Sequence, residues 1–208
     1  MMSLTNLTNL INLIEILAIL VGAFSGFIEA RSKKMDVVGV FTVAFITAFG
    51  GGTLRDILLD KRPLFWVEHQ EYAILIFVLA LIAAPLIRTL KKIVSEHLIV
   101  VADALGLGLF SVAGVSQALA AGMPIFIASM MGVVTGIFGG VLRDIVCNEI
   151  PMVLRDGRPY AICSFIGCWV YLLLQKVGAP ADFSLWSSAL LIFVLRYFSW
   201  RRNVYLGD

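Results

Sequence analysis

Seven long apolar segments, separated by short polar breaks, follow one another along the chain. Their approximate bounds are 9–30, 36–59, 72–90, 98–119, 124–147, 160–177 and 184–200. Each is close to the roughly 20 residues that an α-helix needs to cross a bilayer, and a helix satisfies its own backbone hydrogen bonds there. The pattern predicts an all-α polytopic membrane protein with seven transmembrane helices, in which the short connections make neighbouring helices antiparallel.

The composition agrees with this class of protein. Hydrophobic residues make up 60% of the chain and charged residues only 14%, whereas a soluble domain carries about 25% charged residues. The net charge of +2 gives no basis for binding nucleic acid, because the basic residues lie in short connections. Cys147, Cys163 and Cys168 lie in or beside apolar segments and indicate packing. We expect no metal site, no cofactor and no enzymatic activity, since no nucleophile–base or metal-ligand pattern is present.

Basic residues are distributed unevenly between the two sides of the predicted bundle. One side carries eleven, namely Arg31, Lys33, Lys34, Arg88, Lys91, Lys92, Arg155, Arg158, Arg196, Arg201 and Arg202. The other side carries only Lys61, Arg62 and Lys176. Because cytoplasmic loops are enriched in Lys and Arg, the predicted orientation is N-terminus outside and C-terminus in the cytoplasm. The first segment lacks the basic start and cleavage site of a signal peptide and is expected to remain as a helix.

Two similar motifs lie inside apolar segments, GGGTLRD at 50–56 and FGGVLRD at 138–144. A shift of 88 residues aligns them and gives fifteen identities in 61 pairs, clustered around the Arg-Asp pair. This predicts a duplication. Each copy has three spans, an odd number, so the second copy enters the membrane upside down, as in the inverted repeats of transporters. The predicted units are 9–90 and 98–177, with an appended helix at 184–200.

The glycines of the two motifs, Gly50, Gly51, Gly52, Gly139 and Gly140, can interrupt the second and fifth spans. Each span would then consist of two half-helices whose ends meet inside the membrane. Free carbonyl groups at the end of the first half-helix suit a cation, and free N–H groups at the start of the second suit an anion. We therefore expect a transient monovalent-cation site at the carbonyls near Gly51 and Gly139. The alternative is that the glycines only allow helices to pack closely.

Charged side chains within the spans should face protein or water and have partners, because charges are costly at membrane depth. Adjacent residues of a helix point about 100° apart, so each arginine is expected to pair elsewhere than with the aspartate that follows it. Two acids that the repeat aligns, Glu15 and Asp103, are the expected partners. With all groups ionised the network has two net negative charges, which favours cations. Its members are Arg55, Arg143, Glu15, Asp56, Asp103 and Asp144.

Four stretches carry a family resemblance: DALGLGLFSVAG, GGGTLRDILLDKRP, GGVLRDIVCNEIPMVL and YAICSFIGCW. Over roughly residues 10–178 the chain resembles the bacterial relatives of the trimeric intracellular cation (TRIC) channels, which are also grouped under a glycine transporter domain. The resemblance implies a 3 + 3 + 1 arrangement of helices and a homotrimer among lipids of the bacterial inner membrane. It also implies a pore in each protomer, lined by spans 2 and 5 and kinked at the glycines.

Two functions stay open at this point. The resemblance implies passive conduction of monovalent cations such as potassium, through one hourglass pore per protomer. The alternative is a small-solute transporter with glycine as the natural substrate. A zwitterion could place its carboxylate against the half-helix N-termini and its ammonium group against carbonyl oxygens. A scaffold without transport activity is a third, weaker interpretation.

Overall fold

The computed structural model describes residues 4–89, 96–155, 157–202 and 204, and all regular secondary structure in these ranges is α-helical. Lys91 and Lys92, from the predicted inner connection, lie outside the described residues. The helices are α1 (Leu4–Ser32), α2 (Val37–Leu58), α3 (Phe65–Glu68), α4 (Gln70–Thr89), α5 (Glu96–Ala120), α6 (Ile125–Val146), α7 (Met152–Arg155), α8 (Ala161–Lys176) and α9 (Ala181–Arg201).

The long helices coincide with the seven apolar segments of the sequence. Five are long and apolar enough to cross a membrane, with spans at Asn9–Ser32, Val37–Leu58, His97–Ala120, Ile125–Val146 and Ala181–Arg201. Two apolar stretches are shorter, Gln70–Ile82 in α4 and Ala161–Lys176 in α8. The all-α class with several membrane-spanning candidates is confirmed, and the count of seven crossings stays a prediction.

Local sequence signals set the ends of the central helices. Asp36 accepts a hydrogen bond from the backbone N–H of Gly39 at 2.9 Å and so caps the start of α2. Pro124 precedes α6, where its missing N–H removes no intrahelical bond because the first N–H groups of a helix have no partner within it. Beyond the ends of α2 and α6, Asp60 and Asn148 adopt positive φ angles of 52° and 58°. Asp and Asn tolerate this left-handed conformation better than most residues.

The centre of the bundle consists of α1, α2, α5 and α6. In it α1 packs on α2 and α5, and α6 packs on α5 and α2. Outside this group, α4 packs on α2 and α8 packs on α6, while α9 packs on α5 and α8. Small residues such as Ala18, Ala44, Ala113 and Ala128 are buried in this core, which lets the helix backbones approach one another as they do in membrane bundles.

The same contacts recur in the two halves at the offset of 88 residues. The N–H of Lys61 donates to the carbonyl oxygen of Asp56, and the N–H of Glu149 donates to that of Asp144. The pairing of α1 with α2 matches that of α5 with α6, and the pairing of α2 with α4 matches that of α6 with α8. These recurrences support the predicted inverted repeat.

The appended helix α9 is seated by two glycines. A Cβ atom on Gly108 of α5 would lie 2.5 Å from the carbonyl oxygen of Ala189, and Gly167 of α8 also lies directly against α9. At the offset of 88 residues the corresponding positions are Leu20 and Leu79. These larger side chains would fill the space that α9 occupies, so only the second half can accept an additional helix at this place.

Candidate functional site

A cluster of buried charges lies near the end of α2, and we call it the Arg55 network: Glu15, Arg55, Asp56 and Gln117. Arg55 donates from Nη2 to Oε1 of Glu15 at 2.7 Å and from Nε to Oδ1 of Asp56 at 2.9 Å. Gln117 of α5 donates to the second oxygen of Glu15 at 2.8 Å. The three charged side chains are at most 2% exposed. The network therefore joins α1, α2 and α5 through charge-assisted hydrogen bonds.

A second cluster, the Arg143 network, lies near the end of α6 and contains Ser25, Asp103, Arg143, Asp144 and Tyr160. Arg143 donates to Ser25 at 2.6 Å, to Asp103 at 3.1 Å and, from Nε, to Asp144 at 2.9 Å. The hydroxyl of Tyr160 donates to the second oxygen of Asp103 at 2.6 Å. These contacts join α1, α5, α6 and the start of α8.

The two networks lie at opposite ends of the central helices. On α1 the Arg55 network uses Glu15 and the Arg143 network uses Ser25. Ten residues of helix correspond to about 15 Å along the axis. We call these two regions the Arg55 end and the Arg143 end. Each network therefore lies toward a different end of the central helices, and α1 and α5 contribute to both.

Each arginine also binds the aspartate that follows it, which corrects the expectation from the sequence. Nη2 of Arg55 lies 2.6 Å from Asp56, and Nη2 of Arg143 lies 2.8 Å from Asp144. The angle of about 100° between neighbours describes where side chains leave the helix, and the long arginine side chain reaches across it. The expected acids of α1 and α5 are partners as well. Each guanidinium thus contacts two carboxylates.

The second oxygen of each aspartate holds the chain that follows the helix. Oδ2 of Asp56 accepts a hydrogen bond from the N–H of Phe65 at 3.0 Å, and Oδ2 of Asp144 accepts one from the N–H of Met152 at 2.8 Å. Phe65 and Met152 each begin a short helix, α3 and α7. This role was not predicted from the sequence. The only available signal was the proline that stands seven residues after each aspartate in both copies.

The glycines do not interrupt their helices, so the prediction of half-helices is wrong. Helices α2 and α6 are continuous through Gly50–Gly52 and through Gly139–Gly140. A Cβ atom on Gly51 would overlap the carbonyl oxygen of Thr135, and one on Gly139 would overlap that of Thr47. The two backbones touch at these points, and free carbonyl and N–H groups in such a dry contact would be costly. Close packing, the alternative interpretation, therefore describes these glycines, and a kink stays a prediction.

The other glycines of the motifs have different neighbours. A Cβ atom on Gly52 would lie 3.6 Å from Oε1 of Glu15, and one on Gly140 would lie 3.3 Å from Oδ1 of Asp103. Gly50 packs against a leucine side chain of α6. In each copy, one glycine therefore makes the contact between helices, and the next leaves room for a carboxylate of the adjacent network.

One space lies beside each of the two networks. At the Arg143 end, a cavity of about 20 Å³ has room for roughly one water molecule. Its polar lining and the adjacent glycines come from all four central helices: Ser25, Thr47, Asp103, Gly139, Gly140 and Arg143. At the Arg55 end, a wider space of about 410 Å³ is lined in part by Lys61 and Gln117. The glycine contacts lie between the two networks along α2 and α6.

Residues that the charge count assigns to one side of the membrane lie at the same end of the bundle. Lys33, after α1, forms an ion pair with Glu149, after α6, and this hydrogen bond raises the pKa of Lys33. At the other end Lys61 donates to Gln117 at 3.3 Å. Which end faces the cytoplasm stays a prediction.

Within the described ranges, no group of three or more His, Cys, Asp or Glu residues could hold a metal ion.

The sequence matches the family model described as Glycine transporter twice, over residues 12–88 and 100–176. The chain belongs to this family. The two matches begin 88 residues apart, the same offset as the internal repeat. A UPF0126 membrane protein of Vibrio cholerae is 36% identical over 176 residues, which cover 85% of this chain and 73% of the relative. The UPF0126 inner membrane protein YadS of Escherichia coli is 39% identical over 147 residues, covering 71% and 70%.

Solved structures of TRIC channels have the same fold. The TRIC trimeric intracellular cation channel orthologue from Rhodobacter sphaeroides is 30% identical with a TM-score of 0.85, covering 93% of this chain and 98% of that one. A structure described for conductance through TRIC cation channels is 31% identical with a TM-score of 0.82, covering 95% and 96%. The resemblance to TRIC channels is confirmed, and this member of the glycine transporter family is a multi-helix membrane protein.

Proposed function

We propose that the protein is a channel for monovalent cations, with potassium as the permeant ion and one pathway in each protomer between α2 and α6. The similarity to TRIC cation channels supports a cation channel. The observation that carries the location of the pathway is the pair of buried charge networks at opposite ends of the α2–α6 contact. A polar cavity lies beside one network and a wider space beside the other.

The charges of these networks suit a cation pathway. Each network contains one arginine and two carboxylates, and the carboxylates carry the excess charge. Arg55 and Arg143 are held by hydrogen bonds to carboxylates, so they position helices and do not oppose a passing cation directly. Intramembrane ionisable residues commonly mark ion pathways.

The contact between α2 and α6 is a closed constriction in this proposal. The backbones touch where Gly51 faces Thr135 and where Gly139 faces Thr47, so no space for an ion lies between them. Conduction then requires α2 and α6 to move apart at the glycines. The carbonyl oxygens of Thr47 and Thr135 face the opposite glycines. Each accepts a hydrogen bond within its own helix, and its second lone pair would then be open to a potassium ion.

Glycine transport is the less well supported alternative. It depends on free N–H groups at half-helix N-termini, where the substrate carboxylate would bind, and α2 and α6 are continuous at that place. Assembly as a homotrimer surrounded by lipid belongs to the proposal too, because the similar solved structures are described as trimeric. Outward-facing apolar side chains such as Phe77, Phe183 and Leu190 are about half exposed in the single chain and can face lipid or a neighbouring protomer.

Paired flux measurements in liposomes test this proposal. We expect potassium efflux that follows an imposed voltage and does not saturate as a carrier does, with no saturable glycine uptake by the same vesicles. Asp103→Asn, in the Arg143 network, should reduce potassium flux, while Asp182→Asn, at an exposed position of α9, serves as the matched control. Saturable glycine uptake without potassium current would replace the channel with the carrier.

A further inference from the structure

Arg196, near the end of α9, is a buried charge that belongs to neither network as defined above. It is 1% exposed, and its guanidinium carbon lies 4.4 Å from the centroid of the Tyr160 ring. Within the described part of the chain, none of its three guanidinium nitrogens has a hydrogen-bond partner. Among the described residues no carboxylate therefore binds this charge directly, although a cation over an aromatic face is stabilised by the ring.

The contact with Tyr160 connects Arg196 to the Arg143 network. The hydroxyl of Tyr160 donates to Asp103, and Asp103 in turn binds Arg143 and lines the small cavity. In the Arg55 network, Gln117 has the role that Tyr160 has in the Arg143 network, because it donates a hydrogen bond to the second oxygen of Glu15. Each network thus has one neutral donor on its acid and a cation beside that donor, but Lys61 beside Gln117 is exposed whereas Arg196 beside Tyr160 is buried.

The charges of the two ends therefore differ. Among the buried charges, one arginine and two carboxylates leave the Arg55 network with one net negative charge, whereas Arg196 brings the sum for the Arg143 network to zero. Lys61 also lies near the Arg55 end through its contact with Gln117, but it is exposed, and solvent and salt screen exposed charges. The ion pair of Lys33 with Glu149 at the Arg143 end adds no net charge.

We propose that Arg196 of the appended helix lowers the cation concentration at the Arg143 end and makes the two ends of the pathway electrostatically unequal. This inference rests on the proposed cation channel. A buried charge acts over a longer distance than an exposed one, because little water separates it from its neighbours. With this role, α9 takes part in conduction. It packs on the second half of the bundle.

Potassium conductance of Arg196→Gln, compared with the wild type at two salt concentrations, tests the inference. Salt in the aqueous opening screens the potential that the charge produces there, with a Debye length of about 30 Å in 10 mM salt and about 3 Å in 1 M salt, so the effect on the local cation concentration is large only in dilute solution. We expect Arg196→Gln to conduct severalfold more than the wild type at low salt and similarly at high salt. Arg196→Lys should restore the wild-type behaviour, and Arg201→Gln, at an exposed position of the same helix, should have little effect.

A reciprocal variant keeps the test decisive if Arg196→Gln does not assemble. Gln117→Lys adds a cation beside Glu15, where the wild type has a neutral amide, and should lower low-salt conductance severalfold. The inference is overturned if an assembled Arg196→Gln does not change conductance in a salt-dependent way, or if Arg196→Lys behaves like Arg196→Gln. If Arg196→Gln does not assemble, the absence of a salt-dependent change in Gln117→Lys overturns it. If the inference is overturned but the wild type conducts potassium, the proposed channel still stands. A wild type that passes no potassium removes both proposals.

Discussion

At the scale of single residues, the two buried arginines differ in how completely they are bonded. All three guanidinium nitrogens of Arg143 have a partner. Nε and Nη2 contact Asp144, and Nη1 contacts Ser25 and Asp103. Arg55 contacts Glu15 and Asp56, and its Nη1 has no hydrogen-bond partner. Breaking a buried ion pair is costly because it leaves an uncompensated charge. The Arg143 network should therefore depend more strongly on the planar guanidinium group.

We expect Arg143→Lys to be more damaging than Arg55→Lys, although both keep the charge. Lysine offers one nitrogen in place of a planar fork of donors, and each lost charge-assisted hydrogen bond costs about 1.5–3 kcal/mol. Thermal unfolding of the purified protein and potassium flux of the same samples measure the effect, with Arg201→Lys as the exposed control. Equal stability of both variants and the wild type would show that the arginines do not act as clamps.

The acid partners of the arginines on α1 and α5 could be predicted from the sequence, whereas the pairing with the adjacent aspartates and the neutral members of the networks could not. Glu15 and Asp103 were found because the internal repeat aligns them and because charges are rare in these segments. Ser25, Gln117 and Tyr160 are ordinary residues in sequence terms. They join the networks only because the fold brings distant helices together, and no periodicity or motif reports such contacts.

At the scale of helices, the contact between α2 and α6 is the feature that the glycines create. Gly51 and Gly139 lie against the carbonyl oxygens of Thr135 and Thr47, on the two sides of a shared contact. Gly52, next to Gly51, has no neighbour closer than 3.6 Å to an added Cβ atom. Of these two adjacent glycines, Gly51 touches the backbone of the facing helix and Gly52 has room for a methyl group. Substitution of each glycine tests this difference.

We expect Gly51→Ala to destabilise the protein and Gly52→Ala to be neutral or stabilising. The new methyl group of Gly51→Ala meets backbone that cannot rotate away, and overpacking typically costs about 1–3 kcal/mol. At Gly52 there is room for a methyl group, and alanine favours a helix over glycine by up to about 1 kcal/mol. The free energy of unfolding of each variant measures this difference. Equal effects of the two substitutions would contradict the backbone contact at Gly51.

The helices could be predicted from the sequence and the behaviour of their glycines could not. Apolar length is a local property, and the segment 124–147 agrees with α6, Ile125–Val146, to within one residue at each end. The helix-breaking tendency of glycine is also local, about 1 kcal/mol per residue. In α2 and α6 it competes with close packing against the facing helix. Both interpretations are compatible with the sequence, and the tertiary contact decides between them.

At the scale of the whole molecule, α9 makes two otherwise similar halves unequal. It packs on α5 and α8, where Gly108 lies against the backbone of Ala189 and Gly167 against the side chain of Ile192. It also brings Arg196 to the Arg143 end. The appended helix therefore adds a difference between the two halves that an inverted repeat alone would not give.

We expect Gly108→Ala to weaken the attachment of α9 and Gly106→Ala to leave it unchanged. A methyl group on Gly108 would lie 2.5 Å from the carbonyl oxygen of Ala189, whereas on Gly106 its nearest neighbour is a side-chain atom at 3.9 Å. Overpacking of this kind costs about 1–3 kcal/mol. Limited proteolysis of the chain between α8 and α9 measures the attachment, and equal cleavage of the two variants would contradict the proposed seat.

The central claim is that cations pass between α2 and α6, and silver block of an engineered cysteine tests it most directly. Thr47→Cys places a thiol in the lining of the small cavity, while Leu190→Cys, 61% exposed on the outer surface, is the control. Both are made in a background without the native cysteines Cys147, Cys163 and Cys168. Silver is a soft monovalent cation with high affinity for thiolates. The account predicts lasting block of potassium current in Thr47→Cys alone, and current that persists in Thr47→Cys as in the control would contradict it.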